Sequence, residues 1–246
     1  MTILVTGGTG FIGGHLVAEL IGRGEQVRVL ARKTSDAGSL EGSKVEIVFG
    51  DLLSPDSLAR AISGCHTLYH TAAFFARWAP GKTKRAMYDI NVEGTRNILE
   101  AALNAGVGKV VYTSSRATIG PSEPDHLADE QTPWRLALPD DYMKSKLLAE
   151  SEALEICAQG LPIVVVNPSF VIGPGRPSAS GQAIVDFLNK RFPGYIDHHE
   201  NFVFVGDVVK GHILANEKGR VGERYLLGGE NLSIREFLDL LEDISG

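Results

Sequence analysis

Ten residues, Val5-Thr6-Gly7-Gly8-Thr9-Gly10-Phe11-Ile12-Gly13-Gly14, restrict the fold of this 246-residue chain more than any other stretch. They follow a β-branched run, Ile3–Thr6, and open an apolar helical pattern, Gly13–Gly22. A glycine turn between strand and helix lets the backbone reverse tightly and sets the helix N-terminus over the strand end. Gly7, Gly10 and Gly13 satisfy G-x-x-G-x-x-G, while Gly8, Gly10 and Gly13 satisfy G-x-G-x-x-G. Both frames place unpaired helix amides, flanked by Phe11 and Ile12, where a pyrophosphate would sit.

The pattern continues in kind. Strands are expected at Gln26–Ala31, Val45–Phe49, Thr67–Thr71, Lys109–Thr113 and Ile163–Asn167, with helices at Pro55–Ser63, Asn91–Ala105 and Asp141–Ala158. Near-continuous hydrophobic runs such as KVVYTS and PIVVVN suit a parallel sheet covered on both faces. The expectation is an α/β chain with a doubly wound parallel sheet, the Rossmann fold. After Asn167 the texture changes to a Pro/Gly/Ser-rich loop, Pro168–Gly181. A helix at Gln182–Lys190, a strand at Asn201–Val205, a helix at Asp207–Asn216, a strand at Arg224–Leu227 and a helix at Ser233–Ile244 follow. Residues 1–167 are read as the cofactor-binding domain, with 201–216 returning to it. Residues 168–200 and 217–246 are read as a small C-terminal substrate-side region.

Composition narrows the function. A hydrophobic fraction of 43 % and a charged fraction of 22 % are those of a globular domain. A formal charge of −6 argues against nucleic acid as partner. No apolar run reaches the ~20 residues of a membrane span, and the first strand leaves no room for a signal peptide. Cys65 and Cys157 have no metal-ligand spacing, and His198-His199 has no third ligand at plausible spacing. No metal site is expected, and a cytoplasmic location follows.

Two places carry chemistry. Strand two ends Val29-Leu30-Ala31-Arg32-Lys33, without the acid that holds the ribose hydroxyls of NAD. Arg32 can stack on adenine and pair with a 2′-phosphate, and Lys33 adds charge, so NADP(H) is expected ahead of NAD(H). Two solvated surface cations are the other reading. Asp51-Leu52 after strand three is placed for the adenine edge. Thr71-Ala72-Ala73 after strand four offers small residues for close backbone approach. The second place is Tyr142-Met143-Lys144-Ser145-Lys146, behind Asp140 and Asp141 at a helix start. Tyr142 and Lys146 are i and i+4 and share a face. A fixed cation favours the phenolate, as a general acid/base for a carbonyl or hydroxyl requires. The aromatic and cationic stretch Phe74–Lys82 either recognises substrate or packs over the cleft.

The chain resembles the extended short-chain dehydrogenase/reductase family, the NAD(P)-dependent epimerase/dehydratase group. Within it, the likeness is to dihydroflavonol-reductase-like proteins and hopanoid-associated sugar epimerases. The residues that carry it are Thr6–Leu16, Gly50–Leu52, His70–Ala73, Asn91–Ala102, Val110–Gly120, Tyr142–Lys146, Val165–Gly175 and Val203–Ala215. The resemblance implies that Tyr142 is the acid/base, Lys146 lowers its pKa and binds the nicotinamide ribose, and Ser115 holds the substrate oxygen, with Ser114 as runner-up. It places Pro168 and Ser169 at the nicotinamide end, counts Thr113 among the cofactor-binding residues and gives Asn91 a supporting role. It implies hydride transfer to or from a small carbonyl or alcohol substrate. It also implies a homodimer through helices Asn91–Ala105 and Asp141–Ala158, whose apolar faces could instead be buried within the monomer. Epimerase or dehydratase action with tightly held NAD, and non-catalytic NADP binding, are the rival functions. Family members continue for several more helices beyond the segment equivalent to Leu232–Gly246, so the substrate-side region here is short.

Overall fold

The sheet alternation expected from sequence is carried by burial on both faces. In the computed structural model all residues are described except 37, 41, 43, 77–79, 124–125, 176–178, 192–193 and 246, and except the side chains of 39, 179 and 180. Strands β1 (Thr2–Thr6), β2 (Gln26–Ala31), β3 (Val45–Phe49), β4 (Cys65–His70), β5 (Lys109–Thr113), β6 (Ile163–Pro168) and β9 (Arg224–Leu227) form a parallel sheet in the order β3-β2-β1-β4-β5-β6-β9. Helices α1 (Phe11–Gly22) and α7 (Val205–Lys218) cover one face; α2 (Pro55–Ile62), α4 (Gly94–Asn104) and α5 (Asp141–Ala158) cover the other. Successive strand residues point to opposite faces. Val110, Tyr112, Ile163 and Val165 thus pack with α4 and α5, while Val111, Val164 and Val166 pack with α1 and α7.

Helix α3 (Gly81–Tyr88) runs without a break through a π turn, Asp89–Glu93, into α4. A smaller sheet, β10-β8-β7, is built from β7 (Phe170–Ile172), β8 (His199–Phe204) and β10 (Glu230–Ser233), with β7 and β8 parallel and β8 and β10 antiparallel. Helices α6 (Ala179–Leu188) and α8 (Ile234–Ser245) accompany it. The chain passes between the two sheets more often than the sequence boundaries anticipate. Strand β8 belongs to the small sheet, so the return to the main body begins with α7. Strand β9, expected on the substrate side, pairs with β6 as the seventh strand of the main sheet.

The strand order reverses between β1 and β4. Helices leaving these neighbours go to opposite faces, which opens a crevice at their carboxyl ends, where ligands bind in this architecture.

Candidate active site

The glycine turn lies at that crevice, and its geometry selects one frame. Gly7 has φ +73°, and a β-carbon there would lie 2.7 Å from the Ala72 amide nitrogen. The Gly10 amide donates to the Gly7 carbonyl at 2.8 Å. A β-carbon on Gly13 would fall 2.2 Å from that same carbonyl oxygen and 2.6 Å from Thr71 Oγ1. Gly7, Gly10 and Gly13 therefore form the cradle. Gly8 serves packing instead, pressed under the Val29 side chain. No side chain caps the N-terminus of α1 at Gly10, so its first amides keep their donors for an anion. Side-chain-free backbone and open donors fit a dinucleotide pyrophosphate.

On one side of the cradle a cavity of about 230 Å³ is lined by Thr9, Arg32, Asp51, Leu52, Thr71, Ala72 and Ala73, among others. It suits an adenosine. Arg32 and Lys33 lie exposed beyond β2, and among the described residues neither has an ion-pair partner. Both line an adjoining open groove, which Arg60 from the last turn of α2 also lines. Sequence reading missed Arg60, because nothing local ties that helix to the end of β2.

On the other side a cavity of about 560 Å³ receives Phe11, Ile12, Phe75, Ser114, Ser115, Tyr142, Pro168 and Ser169. Tyr142 stands in the first turn of α5, which Asp140 caps by accepting from the Met143 amide at 2.8 Å. The next residue, Asp141, is held by Lys84 at 2.8 Å, and this ammonium keeps its carboxyl below the usual range. The Phe75 ring meets Tyr142 edge to face at 4.7 Å. Residues 77–79 of the aromatic stretch lie outside the described residues, as do 176–178 of the later loop.

Lys146 stands behind the wall, 2 % exposed. Its Nζ donates to the Thr113 carbonyl at 2.9 Å and to the Tyr112 hydroxyl at 3.2 Å. Burial pushes its pKa down to about 8, against the opposing pull of Glu150, so it remains largely an ammonium at neutral pH. His70, stacked on Tyr112, is pushed down to about 3 by burial and by Lys146.

Ser115 Oγ accepts from the Ala117 amide at 3.2 Å and starts a 3-10 turn, Arg116–Thr118. Ser114 Oγ is buried with no hydrogen bond of good geometry among the described residues. Ser169 is already engaged, donating to Asn201 Oδ1 at 2.6 Å. Thr113 and Asn91 do not reach the cavity. Thr113 Oγ1 pairs with His212 Nε2 at 2.8 Å. The Asn91 amide is bound to both backbone groups of Phe74 and to Ser145 Oγ. Arg116, a further residue that sequence reading missed, lines the cavity and is paired with the buried Glu200 of β8. That contact joins positions 84 apart in sequence and leaves no local signal. Among the described residues no group of three His, Cys, Asp or Glu could hold a metal, and no helix is long and apolar enough to cross a membrane.

A glycine cradle at the switch point, a cavity lined by Tyr142 and Ser115, and a buried Lys146 one turn along the helix from Tyr142 are consistent with an NAD(P)-dependent oxidoreductase or epimerase of the extended short-chain type. Residues 3–228 match the NAD dependent epimerase/dehydratase family, and the chain belongs to it. A candidate dihydroflavonol 4-reductase from Synechocystis sp. is 43 % identical over 250 residues, covering 98 % of this chain and 72 % of that protein. The crystal structure of gox2253 superposes with a TM-score of 0.93 at 41 % identity, covering all of this chain and 75 % of that one. The UDP-glucose 4-epimerase of Thermus thermophilus, solved with NAD, superposes with a TM-score of 0.87 at 29 % identity, covering 100 % of this chain and 84 % of that one.

Proposed function

We propose that this chain is an NADP(H)-dependent reductase of small carbonyl compounds, of the dihydroflavonol-reductase type. The observation that carries the reading is the joint placement of Tyr142 and Ser115 on one cavity, with the Lys146 ammonium fixed behind it. The nicotinamide supplies the hydride when bound. Ser115, or Ser114 beside it, orients the substrate oxygen. Tyr142 donates the proton to that oxygen, and the fixed charge of Lys146 eases the release. Thr113, through its carbonyl, and Tyr112 keep Lys146 Nζ in place. Arg32 and Lys33 favour the 2′-phosphate because neither has an ion-pair partner among the described residues.

Away from the cradle the cavity wall includes Phe75, Met143, Phe170 and Val171, which favours an apolar or aromatic carbonyl compound. The same reading has α4 and α5 meet their counterparts in a second copy, where Leu148 of α5 is 49 % exposed. The test is NADPH oxidation by the purified chain across aldehydes, ketones and dihydroflavonols, repeated with Tyr142→Phe. Turnover should fall by about 10²–10⁴-fold in the variant while NADPH affinity stays within about two-fold. Full activity in the variant would remove Tyr142 as the proton donor.

A further inference from the structure

Glu150 has no part in the proton transfer described above, yet it is buried to 3 % exposure. A carboxylate at that depth is costly unless its oxygens are hydrogen-bonded, and here both accept from groups that lead to the site. Its Oε1 accepts from the Arg224 guanidinium on β9 at 3.0 Å. Its Oε2 accepts from the Thr118 hydroxyl at 2.7 Å and from Asn167 Nδ2 at 2.9 Å. Thr118 closes the 3-10 turn that Ser115 starts, its amide donating to the Ser115 carbonyl at 3.1 Å. Asn167, on β6, donates to that same carbonyl at 3.1 Å. One carboxylate thus ties α5, β6 and β9 together beneath Ser115. It also lies one turn beyond Lys146 on the same face of α5.

We propose that Glu150 is a positioning residue for this site: its carboxylate holds the Ser115 turn in register with Tyr142 and stands as countercharge to the buried Lys146 ammonium. A plain structural ion pair with Arg224 would make no demand on Lys146. The titratable groups around Lys146 are His70 from β4, Tyr112 from β5, and Tyr142 and Glu150 from its own helix, with Arg224 of β9 behind Glu150. Burial keeps His70 and Tyr112 neutral near pH 7, raising the pKa of the phenol and lowering that of the imidazole. The Glu150 charge is the one that opposes the burial penalty on Lys146.

The assignment rests on Ser115, Tyr142 and Lys146 being the catalytic set, but its test does not need turnover. In protein labelled with 13C-lysine, the Lys146 Cε resonance is identified by its loss in Lys146→Arg. It is then titrated in the wild type, in Glu150→Gln and in Glu150→Gln/Arg224→Gln. The double variant removes the cation that the single one strands, so a folded comparator remains if the single variant fails. In Glu150→Gln the Lys146 midpoint should fall by roughly one pH unit, and in both variants amide exchange at Thr118 should quicken about ten-fold. A double variant in which Thr118 exchanges as it does in the wild type overturns the proposal, as does an unchanged Lys146 midpoint in a folded Glu150→Gln. With any carbonyl the wild type reduces, kcat should fall about ten-fold at pH 7 and NADPH affinity should hold. A wild type that reduces no carbonyl defeats the proposed function, and the titration still decides Glu150.

Discussion

Gly13 and Gly14 are neighbours in the first turns of α1, and alanine should have opposite effects at the two. At Gly13 the added carbon would lie 2.2 Å from the Gly7 carbonyl oxygen and 2.7 Å from its carbon. Both are backbone atoms of a turn already closed by the 2.8 Å bond from Gly10, so neither can swing aside as a side chain would. Relief requires the cradle to shift by about an ångström, an overpacking cost of ~1–3 kcal/mol. Helix propensity returns up to ~1 kcal/mol of it. At Gly14 the nearest atom, the Gly8 carbonyl oxygen, is 3.5 Å away, an ordinary contact. There the propensity gain of up to ~1 kcal/mol stands alone. At about 2–4 °C per kcal/mol for a chain of this size, Gly13→Ala should melt several degrees below the wild type and Gly14→Ala slightly above it. Titration calorimetry with NADP⁺ separates packing from function. Shifted amides in the Gly13 variant should weaken binding about 10–100-fold, while the Gly14 variant binds as the wild type does. Equal melting temperatures and equal affinities for the two variants would refute the close approach on which the nucleotide site is built.

Other consequences can be measured directly. Arg32→Ala should cut the NADP(H)-over-NAD(H) preference about ten-fold or more by fluorescence titration; an unchanged ratio would return Arg32 to the role of a surface cation. The Lys146 pKa is about 8 in the folded chain against 10.5 for an ordinary lysine, so between these values the unfolded chain binds the extra proton. Stability relative to Lys146→Met should therefore rise with pH across that window, by at most ~3 kcal/mol, in urea unfolding at about pH 7 and pH 10. Burial holds His70 at about 3 and His212 at about 4, below the ordinary 6.5. Their contribution to stability is complete above pH 6.5 and is lost as the pH falls toward those values. Nitrogen-15 spectra should accordingly show neither ring titrating between about pH 5 and 8.

What the sequence disclosed about this fold depended on how local each signal was. Strand β6 reads as a strand because IVVVNP is buried throughout, and α5 is bounded correctly because Asp140 is a true cap. Strand β7 falls within the stretch expected to be loop: it has only three residues, and its pairing is to β8, some thirty residues on. Strand β10, Glu-Asn-Leu-Ser, has no β-branched residue and exists by pairing with β8. Helix α3 has no apolar stripe, only Met87 buried, and is fastened by Lys84 to Asp141. Tyr142, Lys146 and Ser115 could be named as candidates because the first two have a fixed helical spacing and the third follows a strand end within a motif that the resemblance carries. Arg116, Arg60 and the partners of Glu150 could not, since each depends on a chain segment that only the folded molecule brings near.

The Asn91 amide has a consequence for how this protein can change. It pairs with both backbone groups of Phe74, at 2.7 and 3.0 Å, and donates to Ser145 Oγ at 3.0 Å; Ser145 in turn donates to the Tyr142 carbonyl at 2.8 Å. The segment that carries Phe75 is thereby bolted to the backbone of Tyr142. A mutation that shifts this segment to re-aim Phe75 should also displace the Tyr142 hydroxyl, the proton donor of the proposed function. Selection for altered specificity should therefore leave this linkage intact and draw its variation from the opposite wall, on β7 and α6.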